Sequence, residues 1–164
     1  MPYLVLGLLI IGAVIYSVII KIKHLDPLDK LSSWPYEKKQ QVLSPLEMAF
    51  YQALLAHLQP GLAVMAKVRL DDILYVAQKS RETGALRDKL AGRGLDFLIC
   101  ESATLRPVCA LDFDDPLDAP AGQKETLAKI LTAAHLRLFS FQPQYEYTAA
   151  DFQPINDLFA SGNY

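Results

Sequence analysis

The 164-residue chain is poor in the residues that do covalent and soft-metal chemistry: two cysteines, three histidines and one tryptophan. His24, His57 and His135 each stand alone, with no second ligand at metal spacing, which excludes a sequence-encoded zinc site. Cys100 and Cys109 lack the close spacing of a zinc or redox pair and are expected as reduced, buried thiols. No serine or cysteine sits in a nucleophile elbow. Glycine is also sparse. The GRG of Gly92 to Gly94 is too short for a phosphate loop, and GALRDKLAG lacks the GK[ST] ending. Positive charge is short too. Sixteen Lys and Arg face 18 Asp and Glu, and two of the sixteen, Lys21 and Lys23, precede every acid. The chain after His24 therefore carries about −4, which argues against a broad basic footprint for nucleic acid. One local exception is KSRETGALRDKLAGR, from Lys79 to Arg93, with five basic and two acidic residues. It reads either as a solvated face or as a phosphate contact.

What the chain does have begins at Tyr3. YLVLGLLIIGAVIYSVII runs to Ile20 as 18 residues without a charge. At ~1.5 Å per residue, a helix extended to Ile22 nearly matches a hydrocarbon core of ~30 Å. A cleaved signal peptide would need a basic start, a shorter apolar run and a small-x-small site, and none is present. Lys21, Lys23 and His24 follow the run, and the positive-inside bias puts them in the cytoplasm. The expectation is a single-pass anchor over residues 1–24, touching the membrane through residues 3–22. The domain would then be cytoplasmic, at the cell membrane (the inner membrane if bacterial).

A polar linker over 25–43 follows, with Trp34 and Tyr36 suited either to the membrane interface or to packing on the domain. The domain proper, 44–147, opens on SPLE. This offers a serine N-cap, a proline at the first helical position and a glutamate three residues after the cap. LAVMAKVRL reads as a strand with Leu62, Val64, Ala66 and Val68 on one face. A short helix capped by Asp71 comes next. Then come two near-continuous apolar strands, Leu95–Glu101 and Arg106–Asp112, an amphipathic helix QKETLAKILTAAHL, and a last strand from Arg137. The tail, 148–164, has apolar residues spaced for a short helix. Apolar inner strands suit a sheet covered by helices on both faces, an α/β fold.

The candidate chemistry sits at the end of the two inner strands, in Asp96, Asp112 and Asp114. Register parity decides it. An odd-length connection sets Asp96 and Asp112 on one side of the sheet, and an even-length one sets them on opposite sides. Facing carboxylates would resist ionisation unless a cation lay between them, and hard oxygen ligands suit Mg²⁺ or Mn²⁺. The alternative is a solvated acidic strand end over Asp112 to Asp118.

From Ser44 to Phe141 the chain resembles the family called domain of unknown function 2726. The residues that carry the likeness are SPLEMAFYQALL, VMAKVRLDDIL, LDFLICESATLRPVCALDFDD and KILTAAHLRLF. That family is similar to the restriction-endonuclease-like fold, very-short-patch-repair endonucleases included, with its PD-(D/E)xK pattern. The resemblance implies that Asp96 takes the first aspartate position and Asp112 the second acidic one. Glu47 matches an acidic position of some relatives. The lysine position falls on Asp114, and DFDDPLDAP lacks the histidine frequent in the family. An ammonium would have to come from Lys67 or Lys124 on another element.

Two functions follow as expectations. One is a membrane-tethered binding module on a degenerate nuclease-like scaffold, with an unknown protein partner and no cofactor. Net acidity, the missing lysine and the anchor favour it. The other is a Mg²⁺- or Mn²⁺-dependent nuclease in which Asp96 and Asp112 hold the metal and Asp114 assists. The carboxylate-rich strand end favours that one, with nucleic acid as partner although net charge does not support it.

Overall fold

Ser44 starts the first helix of the domain through a reciprocal cap. Its backbone N–H donates to Glu47 Oε2 at 2.7 Å, and its Oγ accepts from the Glu47 N–H at 3.3 Å. Such a cap contributes about 1 kcal/mol, and with Pro45 at the first position it launches α2, Pro45–His57. The computed structural model describes residues 2–23, 33–77, 81–114 and 121–164. His24, Lys79, Asp115 and Asp118, singled out above, lie outside them.

The chain divides into two compact units, Met1–Gln40 and Gln41–Tyr164. The first contains one α-helix of 22 residues, α1, Pro2–Lys23. Among the described residues no helix is long and apolar enough to cross a membrane. Within α1 the described side chains are Gly7 and the run from Ile10 to Ile19. The segment expected as an anchor forms a helix over Pro2–Lys23. Trp34 and Tyr36 stack on each other, ring centroids 5.9 Å apart, and both are exposed.

The second unit is built on four strands: β1 Leu62–Arg69, β2 Gly94–Glu101, β3 Pro107–Phe113 and β4 Arg137–Phe141. They lie in the order β1-β2-β3-β4. The first three run antiparallel, and β4 joins parallel to β3. A parallel neighbour needs a long crossover, and α5, Ala121–Ala133, supplies it. Helices cover both faces, as the apolar inner strands imply. On one face Phe97, Ile99, Cys109 and Leu111 pack with Phe50 and Leu54 of α2 and with Phe152, Ile155 and Leu158 of α6, Ala149–Ser161. On the other, Leu98, Cys100 and Ala110 pack with Leu127 and Leu131 of α5. The same cluster takes Leu70 of α3, Leu70–Ile73, and Leu90 of α4, Thr83–Leu90.

Three local expectations are revised. Val68 does not share a face with Leu62, Val64 and Ala66; it joins the α5-side cluster. Lys67 between them has φ +53°, and this left-handed residue reverses the alternation of the strand. Asp71 does not cap α3. The N-cap is Arg69, which makes no side-chain cap bond, and Asp71 instead pairs with the Arg69 guanidinium at 2.6 Å. The tail is more than a short helix. α6 is 13 residues long, opens on a capping box between Thr148 and Asp151, and buries Phe152 and Ile155 completely. Asn156 ties it to the end of α2 by accepting from the Gln59 N–H at 3.0 Å and donating to the His57 carbonyl at 3.1 Å. That bond, with the His57 ring stacked on Phe152, gives His57 a structural role.

Cys100 and Cys109 are both free and buried, and burial pushes the Cys109 thiol up to about 12. Such thiols pack as small apolar groups and are poor nucleophiles.

Phe50 is the centre of the first cluster. Its ring lies 4.9–5.6 Å from those of Phe97, Phe113, Phe141, Tyr147 and Phe152. Phe50→Ala should therefore cost about 3–5 kcal/mol in a urea titration, and Phe50→Leu much less. A loss for alanine below about 1.5 kcal/mol would place the core elsewhere.

Candidate functional site

The ladder between β2 and β3 contains a one-residue shift, and the site depends on it. Near the turn Cys100 pairs with Pro107. Beyond the shift between Ile99 and Cys100, Ile99 pairs with Cys109, Leu98 with Ala110 and Phe97 with Leu111. One step further along the same ladder, Asp96 lies across from Asp112. Had the Cys100–Pro107 pairing continued unshifted, Asp96 would have met Leu111, and the two carboxylates would have taken opposite faces. Pro107 has no N–H to donate, and a proline in an inner strand is confined to a strand's first residue or a bulge. Here it is the first residue of β3, beside the shift.

Asp96 is held from two sides. Its Oδ2 accepts the Phe113 N–H at 3.0 Å and its Oδ1 accepts from Lys67 Nζ at 2.8 Å. Lys67 also bonds Glu47, so one ammonium bridges α2 and β2. Partial burial opposes the charge on Lys67, but the bonds to Asp96 and Glu47 outweigh it and raise its pKa. Glu47 shows the mirror effect. Burial would raise it, yet the Lys67 and Ser44 bonds hold its carboxyl below the usual range. Glu47 therefore serves both as helix cap and as site acid.

Asp112 is the perturbed group. Burial first, and then the Asp96 carboxylate against it, push its pKa up to about 7. Asp114 differs: its side chain is 54% exposed, against 22% for Asp96. Its Oδ1 accepts from Lys124 Nζ at 2.7 Å and its Oδ2 from Gln142 Nε2 at 3.3 Å, and the Lys124 bond holds its pKa low. The ammonium that the pattern expects at position 114 is thus brought to Asp114 by Lys124 of α5.

Asp96, Asp112 and Lys124 open on one cavity of about 220 Å³, also lined by Gly92, Arg93 and Gly94. Asp114 lies beyond its rim, in a neighbouring cleft that shares Asp112 and Lys124. Gly94 has a steric reason to be glycine, since a Cβ there would stand 3.2 Å from the Val68 carbonyl oxygen. Sequence reasoning found the acids and named both lysines as candidates. It missed the cavity's Gly92–Gly94 wall, whose only signal was a glycine on each side of an arginine.

The donor set suits a hard divalent cation. A carboxylate has about four lone-pair positions, and the two bonds to Asp96 leave others open. Asp112 beside it would be relieved of its raised pKa by a cation. Among the described residues no group of three or more His, Cys, Asp or Glu could hold a metal. Any cation here would rest on two protein carboxylates, a number Mg²⁺ accepts when waters and phosphates complete its shell.

The family model described as "Protein of unknown function (DUF2726)" matches residues 39–153. The chain belongs to the DUF2726 family. No curated protein and no solved structure gives a match. The DUF2726 span covers Glu47, Lys67, Arg93, Asp96, Asp112, Asp114 and Lys124, and it stops within α6. It leaves out α1.

The Asp112 shift predicts a pH dependence. The folded chain keeps that proton up to about pH 7, whereas the unfolded chain releases it near 3.8. This contribution is therefore full below the unfolded value and is lost as pH rises through about 7. Without divalent cations, Asp112→Asn should melt about 2–5 °C above the native chain at pH 8 and equal to it near pH 4. An equal or lower melting temperature at pH 8 would mean that Asp112 is not strained.

Proposed function

We propose that this chain is a metal-dependent phosphodiester hydrolase on a restriction-endonuclease-like scaffold, tethered to a membrane by α1. The carrying observation is the juxtaposition of Asp96 with Asp112 across the β2–β3 ladder, with Lys67 and Lys124 delivered from β1 and α5. The order of helix, three antiparallel strands, helix and parallel strand supports the scaffold. The uncharged run Tyr3–Ile20 supports the tether.

Asp96 and Asp112 would hold Mg²⁺ or Mn²⁺, which when bound polarises a phosphoryl oxygen and lowers the pKa of a ligated water. The chain's own residues do the rest. Lys67 and the Phe113 N–H fix the Asp96 carboxylate in one orientation. Asp112, raised to about 7 by burial and by Asp96 in the metal-free chain, must give up its proton to take the cation, so metal binding should strengthen as pH rises. Lys124 brings a positive charge to the cavity wall, where charge develops on a phosphoryl group under attack.

A second reading is an interaction module with an unidentified protein partner, in which the acids are structural. One observation favours it: Lys67 already neutralises Glu47 and Asp96 as a cation would.

Calorimetric titration of Mn²⁺ into the full chain separates the two. The hydrolase reading expects binding that Asp112→Asn weakens at least about tenfold, with Mn²⁺-dependent cleavage of labelled DNA or RNA. Lys124→Met should keep Mn²⁺ binding and lower the cleavage rate about 100-fold. A native chain that binds no Mn²⁺ would leave the interaction module.

A further inference from the structure

Arg93 is the cavity residue for which the chemistry above has no use. It lies between Gly92, φ +73°, and Gly94, where a Cβ would press on the Val68 carbonyl oxygen at 3.2 Å. Its backbone is pinned on both sides: its N–H donates to the Leu90 carbonyl at 3.2 Å, and its carbonyl accepts the Leu70 N–H at 3.0 Å. The residue is partly buried and lines the cavity beside Asp96, Asp112 and Lys124. Among the described residues its guanidinium has no hydrogen-bond or ionic partner. An arginine on a fixed loop that lines a cavity, with its guanidinium left unpaired, is arranged to receive an anion from outside the chain.

We infer that Arg93 is a substrate-binding residue that clamps a backbone phosphate of a polynucleotide at the mouth of the Asp96–Asp112 cavity. The inference rests on the hydrolase reading for the identity of the polymer. Further basic residues precede it in the chain. Arg87 and Lys89 of α4 are exposed and, among the described residues, have no ionic partner. This run keeps a strand near the site although the chain as a whole repels it. One local clamp in an acidic protein predicts weak binding with a shallow salt dependence, since the slope grows with the number of phosphates contacted.

The test is fluorescence anisotropy of labelled single-stranded DNA, single-stranded RNA and duplex DNA with the full chain in EDTA, across a salt series. Arg93→Gln should weaken binding about tenfold and reduce the slope of log affinity against log salt by about 0.7 on single strands. Arg93→Lys should restore the slope but not all of the affinity, because the planar fork is gone. Melting temperatures of both variants are read alongside, since a packing role would move those and leave the slope alone. Arg93→Gln with unchanged affinity and slope overturns the inference. So does a chain that binds none of the three nucleic acids, or one that shows Arg93-dependent binding only to anionic lipid vesicles. Mn²⁺-dependent cleavage indifferent to Arg93 would remove the clamp and keep the hydrolase. Arg93-dependent oligonucleotide binding without any Mn²⁺ binding would do the reverse.

Discussion

A single register shift between Ile99 and Cys100 carries the architecture of the site. Strand side chains alternate with a period of two, so a ladder offset by one residue exchanges every facing pair. The inner strands are apolar on both faces, and burial alone therefore penalises either register less than it would in a half-exposed sheet. The turn fixes the first pairing, Cys100 with Pro107, and the bulge resets it before the carboxylates are reached. Around that turn Glu101 accepts bonds from Thr104, Tyr164 and Arg106, which together hold its carboxyl near a pKa of about 2. The far end of the hairpin is thus tied to the last residue of α6's extension, while its near end presents the acids.

The charges at the near end are arranged in linked pairs. Lys67 joins Glu47 to Asp96, and Lys124 joins the wall of the cavity to Asp114. Both lysines come from elements that flank β2 and β3, so the site is assembled only when α2, β1 and α5 are docked. The left-handed Lys67 is part of that assembly. The residue that breaks the alternation of β1 is the one whose ammonium turns to Asp96. Strain of this kind, of order 1 kcal/mol or more for a non-glycine residue, is retained where surrounding contacts over-determine the backbone.

α6 extends the same logic to stability. Its Phe152 and Ile155 are fully buried against the face that holds Phe97 and Leu111, directly behind the strands that carry Asp96 and Asp112. A rigid back wall lets carboxylates stay close together despite their repulsion, because neither strand can move away without opening the aromatic cluster around Phe50.

Local chemistry was enough to read much of this molecule. The SPLE cap, the apolar runs of β2 and β3 and the amphipathic α5 each announce themselves within a dozen residues, since capping, alternation and helical periodicity are short-range effects. Asp96, Asp112 and Asp114 were visible as an acidic strand end, and the α/β class followed from strands apolar on both faces. Whether the first two acids met was decided by a bulge with no unique local signature. Which lysine reached which acid was decided by the packing of α2, β1 and α5 on the sheet. The docking of α6 on α2 and the pairing of Lys67 with Glu47 belong to the same category, because they join residues 20 to about 100 positions apart. A one-dimensional pattern carries the preferences of a segment for helix, strand or turn. The distances between charges from different segments exist only after the chain has closed on itself.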